Sequence, residues 1–529
     1  DFNAVQRGDP LMANKIAKFL QTVSKKNIII SIHDQGSGGM ANVTREICED
    51  KGADVFLDDV LLGDKTLTSL EKWVAEYQEQ VTLLVDENNI LDLEKIAERE
   101  KVSLRVVGKI TDSNKLNVYT DHSKETKVVS LPMEETKLTK FFNINPTNDI
   151  IELVTNTNSN KTIMGILKDV FKLVEVGSKQ FLTNKVDRSV SGLILQQQCV
   201  GPFHLPLSNL SAVKSSFSSE TILVSAIGEQ PIKGITGNIK DMVYLTVGEM
   251  LTNIIWCELG SLRKINTVAN WMWASTSPED GWLLNEAVDA LVECSTELEF
   301  SINGGKDSLS MKVKHEKQEI KAPNTLVLSG YGTTKYQYII TPNLQGPNNL
   351  LFLVRLEDFT GRLGGSAYSR CFSPSNLETP TFRSFSKFKL IYSLIQELIS
   401  NQVILSGHDI SDGGLLTTLC EMSFSSIYGI NIDIKSDFSK EEYLFSEELG
   451  IVFEISPKKL SYVHRIFLEK KIELTLLGAT QKESEIRIKY NGDIIMDEKN
   501  EDVRYNWQKT SYMLELKQAN PKCIEEEVH

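Results

Sequence analysis

Two short segments of this 529-residue chain share a pattern of residues suited to binding a phosphate and a metal ion. Residues 31–39 read SIHDQGSGG and residues 406–414 read SGHDISDGG, and each segment follows an apolar run. A glycine-rich turn between a strand and a helix presents free backbone N–H groups and the helix dipole to a phosphate. The aspartates of the two segments, Asp34 and Asp409, are suited to Mg²⁺, which prefers carboxylate and phosphate oxygens. For one segment alone, a tight turn with a capping aspartate is the simpler interpretation, but the repetition favours a ligand site.

The similarity between the two segments extends upstream and indicates an internal duplication. Their histidines, His33 and His408, are 375 residues apart. The same separation relates two apolar stripes with the i, i+3, i+4, i+7 spacing of a helix packed on a core. The stripes are Ile16, Phe19, Leu20 and Val23 in the first copy and Ile391, Leu394, Ile395 and Leu398 in the second. Asp9 and Pro10 predict the N-cap and the first residue of the first helix.

Downstream the correspondence continues after a small gap. Glu79, before the run VTLLV, is matched with Glu448, and Gly108 is matched with Gly478. Six matching elements in register predict duplicated domains. Each copy reads as helix, strand, glycine-rich loop and helix, then further strands and helices, which is α+β or α/β with a sheet covered by helices. The second copy begins with an apolar strand and a glycine turn that the first lacks, so we expect the chain to begin inside a domain.

Composition shifts suggest the domain boundaries. The segment between the copies begins with a polar stretch rich in Asn, Thr and Lys, which is typical of a linker or an insertion. We therefore predict the first copy over 1–120, a linker over 121–162, a separate domain over 163–342, the second copy over 343–500 and the start of a further linker over 501–529.

The segment INGGKDSLSM, residues 302–311, is another candidate for phosphate binding. Gly304 and Gly305 permit a ligand to approach the backbone closely. Lys306 can neutralise a phosphate, Asp307 can bind a metal ion, and Ser308 and Ser310 can donate hydrogen bonds. A β-turn without a ligand is the alternative. The segment also resembles the SGGxDS loop of pyrophosphatase-type ATP enzymes, but its position deep in the chain counts against that interpretation.

Two further groups of polar residues are weaker candidates. Glu249 and Asn253 lie four residues apart in a helix predicted over 241–258, so they share one face and can form a pair of ligands for a hard cation. The segment AEYQEQ at 75–80 contains Glu76, Gln78 and Glu79 just before a strand. For both groups a solvated surface is the simpler interpretation.

Composition excludes several classes of function. With 57 Lys and Arg against 71 Asp and Glu, the net charge is −14, which argues against electrostatic binding to nucleic acid or an anionic membrane. Seven scattered cysteines without a CxxC pair predict reduced thiols in the cytoplasm. The sequence has no apolar run long enough to span a membrane, no Walker A motif and no zinc-ligand spacing.

Nine motifs strongly resemble those of the formylglycinamide ribonucleotide amidotransferase family, the large single-chain synthases of purine biosynthesis. They are DFNAVQRGDP (1–10), SIHDQGSGG (31–39), NKVDRSVSGL (184–193), QQQCVGP (196–202), GEQPIKG (228–234), NWMWA (270–274), GGKDSLSM (304–311), RLGGSAYS (362–369) and SGHDISDGG (406–414). The resemblance covers residues 1 to about 525. Motifs of this length in this order are highly specific.

The resemblance implies a duplicated two-domain synthetase unit of the aminoimidazole ribonucleotide synthetase-like type, with mixed sheets covered by helices. It implies that ATP phosphorylates the amide oxygen of formylglycinamide ribonucleotide, and that ammonia from a glutaminase domain then displaces the phosphate. It also implies Mg²⁺ and ATP or ADP as cofactors. The family's catalytic histidine and glutaminase domain have no match here, so we expect the chain to be a fragment of the synthetase core.

The resemblance also assigns roles to individual residues. The substrate-binding positions are Gln6, Glu76, Gln78 and Ser308. The nucleotide-binding positions are Gly305, Lys306, Ser208 and Ser411. The metal-binding positions are Asp34, Asn209, Glu249, Asn253 and Asp409, of which all but Asp34 belong to an auxiliary nucleotide site.

One departure from the family pattern concerns that auxiliary site. The family has a metal-binding Asp where this chain has Asn209, and an amide oxygen ligates Mg²⁺ without contributing charge. Two alternatives to the amidotransferase reaction stay open: another ATP-using enzyme of the same superfamily, such as a small-molecule kinase, or a non-catalytic half that only holds a nucleotide.

Overall fold

The computed structural model describes residues 9–136 and 161–528, except positions 37, 49, 50, 78, 184, 187, 237, 276, 277, 316, 317, 374 and 375. The chain divides into two compact units, residues 1–141 (unit 1) and 142–529 (unit 2). No helix in the described part of the chain is both long enough and apolar enough to cross a membrane.

Unit 1 contains a two-stranded and a four-stranded sheet. Its elements are α1 (Pro10–Ser24), β1 (Ile29–Asp34), α2 (Gly39–Ile47), β2 (Gly52–Phe56), α3 (Ser69–Val74), β3 (Val81–Val85), α4 (Ile90–Glu100), β4 (Gly108–Thr111), β5 (Lys115–Tyr119) and β6 (Lys127–Pro132). Strands β1 and β3 pair antiparallel, and the other sheet has the order β4-β2-β5-β6.

The first helix begins where the sequence predicts. The side chain of Asp9 accepts a hydrogen bond from the backbone N–H of Met12 at 2.9 Å, and Pro10 is the first helical residue. Phe19 and Val23 of the predicted stripe are buried against α4. Capping and periodicity, which are both local signals, thus place α1 correctly.

The segment predicted as a linker over 121–162 contains a strand near its start. Residues 127–132 form β6, which pairs with β5, and Met133 is buried in the core of unit 1. Lysines and serines within and beside this strand obscure its alternation of polar and apolar residues. The polar composition therefore predicts a linker. The NTNSNK stretch at 156–161, which gave the strongest signal for a linker, lies outside the described residues except for its last lysine.

Unit 2 contains two large sheets and a hairpin. Its helices are α5 (Ile163–Val170), α6 (Gln180–Thr183), α7 (Pro231–Thr236), α8 (Ile239–Ile254), α9 (Pro278–Leu298), α10 (Ala367–Cys371), α11 (Phe385–Ser400), α12 (Gly414–Phe424), α13 (Lys440–Phe445), α14 (Leu460–Glu469), α15 (Asn500–Gln518) and α16 (Pro521–Val528). Its strands are β7 (Ile194–Gln196), β8 (Ser211–Lys214), β9 (Ile222–Glu229), β10 (Asn266–Met272), β11 (Ser301–Ser308), β12 (Lys312–His315), β13 (Gln318–Lys321), β14 (Thr325–Thr334), β15 (Leu350–Arg355), β16 (Ile404–Ile410), β17 (Gly429–Ile434), β18 (Gly450–Ile455), β19 (Thr475–Gln481), β20 (Glu485–Tyr490) and β21 (Asp493–Lys499).

The two sheets of unit 2 have the orders β11-β10-β14-β9-β8-β7 and β16-β18-β15-β19-β17-β20-β21, and β12 pairs with β13. The buried helix α8 packs against β9 and β14 of the first sheet and also contacts β16 of the second. A Cβ on Gly248 would lie 2.0 Å from a methyl group of Leu449, so a glycine lets the helix approach β18. Helix α8 therefore fixes the position of its polar side chains relative to both sheets.

The two copies share an element order, and the structure corrects one predicted match. Asp34 pairs with Val81 on β3, and Asp409 pairs with Ile451 on β18. This register aligns Val81 with Ile451 at an offset of 370 residues, whereas the predicted match of Glu79 with Glu448 has an offset of 369. In unit 2, β15 lies between β18 and β19, and no described strand of unit 1 occupies the corresponding place between β3 and β4.

The C-terminal region, predicted as the start of a further linker over 501–529, begins with helix α15. Helix α15 contacts α12 and α6. Trp507 is buried and its indole N–H donates to the carbonyl of Val176 at 2.9 Å. The apolar residues of this helix are too widely spaced to give a strong amphipathic pattern, so only the tertiary contact identifies it.

The N-cap of α1 gives a testable prediction. Replacement Asp9→Ala removes the acceptor of a first-turn N–H, and we expect it to lower the local stability of α1 by about 1 kcal/mol. Hydrogen exchange of the peptide amides over 10–24 measures this loss. The control Asp9→Asn keeps an oxygen acceptor and should exchange like the wild type. Equal protection in Asp9→Ala would show that the cap contributes nothing.

Candidate functional site

The second predicted loop connects β16 to α12 in unit 2. Gly413 and Gly414 have φ angles of 89° and 71°, in the region that favours glycine. A Cβ on Gly414 would also lie 2.7 Å from the backbone carbon of Phe445. The two glycines therefore let the chain turn sharply from the strand into the helix, while Asp409 and Ser411 lie just before the turn.

Glu249 of α8 reaches this loop. Its Oε2 accepts hydrogen bonds from the backbone N–H of Glu229 at 2.8 Å and from the amide of Gln230 at 3.0 Å. Its Oε1 accepts from the Ser411 hydroxyl at 3.3 Å. Burial, together with the charges of Asp412 and Asp409, raises the pKa of Glu249 well above its usual range. The carboxylate thus lies in a site with excess negative charge.

The other predicted ligands of this site are placed around the same loop and helix. The Asn209 amide donates to the carbonyl of Gly407 at 3.3 Å, one residue before His408. The Asn253 amide donates to the carbonyl of Ile227 at 3.0 Å, on the strand that leads to Glu229. The Ser208 hydroxyl donates instead to the carbonyl of Leu210 at 2.7 Å. The structure thus brings Glu249 and Ser411 into direct contact and links Asn209 to the strand that carries Asp409.

His408 is buried between two acidic side chains. Its Nδ1 lies 3.1 Å from Asp409 Oδ1, and its Nε2 lies 2.9 Å from Glu421 Oε2. Burial alone would lower the pKa of His408, but the two carboxylates outweigh it and raise the pKa to about 9. An imidazolium at this position neutralises part of the charge on Asp409.

Sequence reasoning missed two buried charged residues of the site, Lys233 and Glu447. Lys233 Nζ lies 2.5 Å from Glu447 Oε2 and 3.2 Å from Asp412 Oδ1. A cavity between α8 and the loop is lined by Gln230, Glu249, Ser411 and Glu447, among others. The only sequence signal was that Lys233 and Glu229 belong to the motif GEQPIKG, for which composition and spacing suggest no role.

In unit 1 the first loop adjoins the AEYQEQ segment, as the pairing of β1 with β3 requires. The backbone N–H of Gln35 donates to the carbonyl of Gln80 at 2.9 Å. A Cβ on Gly39 would lie 2.1 Å from the carbonyl oxygen of Ala75, so the loop and the segment pack closely. Asp34 is exposed at the end of β1, and Glu76 is half-buried. Gln6 and Gln78 lie outside the described residues.

The histidines of the two copies have equivalent partners in different surroundings. His33 Nδ1 lies 3.4 Å from Glu46 Oε2, and His408 pairs with Glu421, which is again 375 residues further along the chain. The first pair is about 40% exposed, whereas the second is almost buried. Duplication has preserved the pair, and only the second is removed from water.

The segment at 302–311 is not the turn or loop that the sequence predicts. Residues 301–308 form the edge strand β11, parallel to β10. A Cβ on Gly305 would lie 2.6 Å from the carbonyl oxygen of Ala269, so this glycine permits close strand pairing, while Gly304 faces open space. The Lys306 ammonium donates to the Ser308 hydroxyl at 3.0 Å. Strand β11 has little burial, so its sequence lacks the alternation of polar and apolar residues that identifies a strand. Only its hydrogen bonds to β10 define it, and its sequence therefore resembles that of a loop.

No group of three or more acidic, His or Cys side chains within the described residues is arranged as a preformed metal site. The oxygen donors near Glu249 are instead carboxylates mixed with amide and hydroxyl groups. This composition is suited to Mg²⁺, which usually takes one or two carboxylates together with phosphate oxygens.

Comparison with known families identifies both copies. The model "AIR synthase related protein, C-terminal domain" matches residues 1–121 and again 352–491. The model "FGAR-AT PurM_N-like domain" matches residues 178–333 between them. Curated relatives align with the whole chain and carry one name, phosphoribosylformylglycinamidine synthase. The chain belongs to the phosphoribosylformylglycinamidine synthase family. The repeated match confirms the predicted duplication, and the family predicted from the motifs is correct.

The relatives in this family are longer than the chain. The probable chloroplastic/mitochondrial synthase of Arabidopsis thaliana is 38% identical, and the chain covers 39% of it. The synthases of Dictyostelium discoideum and Homo sapiens are 36% and 34% identical, with 42% and 41% covered. In each case all of this chain is aligned. The chain thus spans about two fifths of the length of these curated relatives.

Solved structures related to this family share the fold. The structure of PurLQS from Thermotoga maritima gives a TM-score of 0.54 at 14% identity, covering 90% of this chain and 68% of that one. T. maritima PurL complexed with ADP gives 0.53 at 15% identity, with the same coverage. T. maritima PurL complexed with FGAR gives 0.51 at 14% identity, covering 90% and 65%. These similarities confirm the predicted α+β fold of duplicated synthetase domains with mixed sheets.

The buried histidine predicts a pH-dependent stability. The pKa of His408 lies above its ordinary value of 6.5, so the imidazolium stabilises the fold fully below about pH 6.5, and this contribution is lost as the pH rises through about 9. We expect the difference in unfolding free energy between wild type and His408→Gln to shrink between pH 6.5 and 9.5. Urea unfolding followed by tryptophan fluorescence measures it.

The matched control is His33→Gln at the equivalent position of unit 1, where the half-exposed pair is screened by water and the replacement should change the unfolding free energy less than His408→Gln does. A difference between wild type and His408→Gln that stays constant across this range would contradict the assignment of a stabilising imidazolium.

Proposed function

We propose that the chain forms part of the synthetase core that converts formylglycinamide ribonucleotide into formylglycinamidine ribonucleotide in purine biosynthesis. ATP transfers its γ-phosphoryl group to the amide oxygen, and ammonia then attacks the amide carbon and displaces phosphate to give the amidine. The observation that carries this proposal is the alignment of the whole chain with synthases at 34–38% identity. Ammonia from glutamine would come from a glutaminase domain, which is part of the same proposal.

The cluster around Glu249 is proposed as a nucleotide and Mg²⁺ site. Glu249 and Asp409 would supply carboxylate oxygens, and Asn209 and Asn253 would supply amide oxygens. Because each amide donates through its nitrogen to a carbonyl, its oxygen points away from that carbonyl. The raised pKa of Glu249 reflects burial and unbalanced negative charge, which a divalent cation would relieve. Mg²⁺ bound here would neutralise the phosphates, and Ser411 and Ser208 would contact the nucleotide.

Unit 1 is proposed to hold the second site, with Asp34 as a metal ligand and Glu76, Gln6 and Gln78 on the substrate. The packing of the loop at 34–39 against residues 75–80 supports this assignment, because it gathers Asp34 and Glu76 at one end of the β1–β3 ladder. An exposed carboxylate beside a glycine turn can take a hydrated Mg²⁺ that carries the phosphates of ATP.

Strand β11 is proposed to contribute Gly305, Lys306 and Ser308 to the binding of substrate and nucleotide. The exposure of this edge strand supports the proposal, since its backbone and its lysine are accessible to an anionic ligand. The cytoplasm remains the predicted compartment; the seven cysteines carry no disulfide, and the name of the Arabidopsis thaliana relative places that protein in organelles.

The proposed reaction is tested by phosphate release from ATP with formylglycinamide ribonucleotide and ammonium chloride. The chain and a version extended to the length of its relatives are assayed side by side, with each substrate omitted in turn. We expect release that requires all three substrates in the extended protein. Release without ammonia would favour the kinase alternative, and nucleotide binding without turnover in both proteins would favour the non-catalytic alternative.

Asp34 can be tested in the extended protein. Replacement Asp34→Asn removes the proposed metal ligand's charge while keeping its shape, and we expect it to abolish phosphate release. Circular dichroism should show an unchanged fold because the side chain is exposed. Asp92→Asn, an exposed aspartate on α4, is the matched control and should retain activity. Turnover at the wild-type rate in Asp34→Asn would remove this residue from the site.

The proposed auxiliary site can be tested at Asn209, which stands where the family has a metal-binding aspartate. Replacement Asn209→Asp adds a charge at the proposed metal site, and we expect Mg²⁺·ADP to bind several-fold more tightly in calorimetry. Asn285→Asp, on the exposed part of α9, adds the same charge elsewhere and should leave the affinity unchanged. If Asn209→Asp also leaves it unchanged, Asn209 is not a metal ligand.

A further inference from the structure

Lys233 is a buried cation at a junction of several chain segments. Its side chain is only 3% exposed and forms ion pairs with Glu447 at 2.5 Å and with Asp412 at 3.2 Å. Burial alone would lower the pKa of this lysine, but the two carboxylates outweigh it and raise the pKa above its ordinary value. The residue is therefore a permanent ammonium whose donors point to two specific partners.

Glu447 extends this contact to the backbone of two glycine-containing loops. Its Oε1 accepts hydrogen bonds from the N–H of Gly413 at 2.7 Å and from the N–H of Ala367 at 2.8 Å. Its Oε2 accepts from Lys233. A buried carboxylate that loses one such donor keeps its desolvation cost, so each member of this network depends on the others.

The network controls the loop that carries the proposed ligands. Lys233 holds the side chain of Asp412, and Glu447 holds the backbone of the next residue, Gly413. Ser411, immediately before them, contacts Glu249. Residues 411–413 are thus fixed from three directions, and Asp409 lies at the end of the strand that enters the loop.

The same network separates the carboxylates into two groups. Asp412 and Glu447 are paired with Lys233, whereas Glu249 accepts hydrogen bonds from a backbone N–H, an amide and a hydroxyl, which are all neutral donors. The first loop has a serine, Ser37, at the position of Asp412. The lysine-to-loop contact is therefore a feature of the second copy and not of the shared fold.

We propose that Lys233 is a positioning residue for the nucleotide and cation site of unit 2, which holds the loop at 411–413 so that Ser411 and Asp409 face Glu249. The inference rests on the proposed function of that site. It assigns to Lys233 an action through Asp412 and Glu447, without contact to the nucleotide.

If Lys233 acted only through its charge, its replacement would change the affinity for a cation in the opposite direction. Removing a positive charge makes the cluster more negative, and this alone would tighten the binding of a cation. Loss of positioning would weaken it, because Ser411 and Asp409 would no longer be held. The direction of change in the affinity for Mn²⁺ alone therefore distinguishes the two roles, whereas Mg²⁺·ADP has a net negative charge and is weakened under either role.

The test uses the full chain with two probes, Mn²⁺ alone followed by electron paramagnetic resonance and Mg²⁺·ADP followed by calorimetry. We expect Lys233→Met to lower the affinity for Mn²⁺ and for Mg²⁺·ADP at least tenfold. Lys233→Arg should restore part of that affinity. Lys233→Gln also removes the charge but keeps a polar side chain, and it should weaken the binding of Mn²⁺ in the same direction as Lys233→Met. The matched control is Lys240→Met, which breaks the ion pair between Lys240 of α8 and Glu286 of α9. It should leave the binding of both probes unchanged.

Each outcome decides the question. Tighter or unchanged binding of Mn²⁺ in Lys233→Met, while the wild type binds both Mn²⁺ and Mg²⁺·ADP, overturns the positioning role and leaves the proposed function standing. Absence of Mg²⁺·ADP binding by the wild type overturns the proposed site and the inference together. If Lys233→Met does not fold, the Mn²⁺ measurement on Lys233→Gln decides: weaker binding supports the positioning role, and tighter or unchanged binding overturns it.

Discussion

The burial of several carboxylates at one place is the constraint on which the second unit depends. Glu447, Glu448 and Asp409 are each less than 5% exposed, and Glu249 lines the same cavity as Glu447. Removing an ionised carboxylate from water costs several kcal/mol unless it is paired or hydrogen-bonded. The glycine-rich loops and the helix α8 therefore have to deliver donors to these oxygens. Much of the architecture around the site can be understood as the solution to this requirement.

Each carboxylate is satisfied in a different way. Glu448 pairs with Arg362 at 2.5 Å and accepts from Thr360, whereas Glu447 pairs with Lys233 and two backbone amides. Asp409 lies beside the imidazole of His408. Glu249 is left with neutral donors, and it is the one whose pKa is raised well above the ordinary value by burial and by neighbouring charge. The site therefore has a local excess of negative charge that is not spread evenly over its members.

Duplication gave the chain two copies of one loop and placed them in different environments. The pair His33–Glu46 is half-exposed, and the equivalent pair His408–Glu421 is enclosed. Strand β3 is partly exposed along its length, whereas β18 is buried throughout, because β15 covers its other edge in unit 2. The same local sequence pattern therefore supports an open, solvated aspartate in one copy and a buried, charge-coupled one in the other.

The sequence by itself determined the features that depend on near neighbours in the chain. Asp9 and Pro10 fixed the start of α1, the paired motifs revealed the duplication, and the spacing of Glu249 and Asn253 placed both on one helix. Only the tertiary structure decided that residues 301–308 are an edge strand, that residues 127–132 and 500–518 are regular elements, and that Lys233 meets Glu447. Those outcomes depend on hydrogen bonds and charges between residues up to 338 positions apart. Such contacts leave no periodic trace in the sequence, because their energy comes from burial and pairing that exist only once the chain has folded.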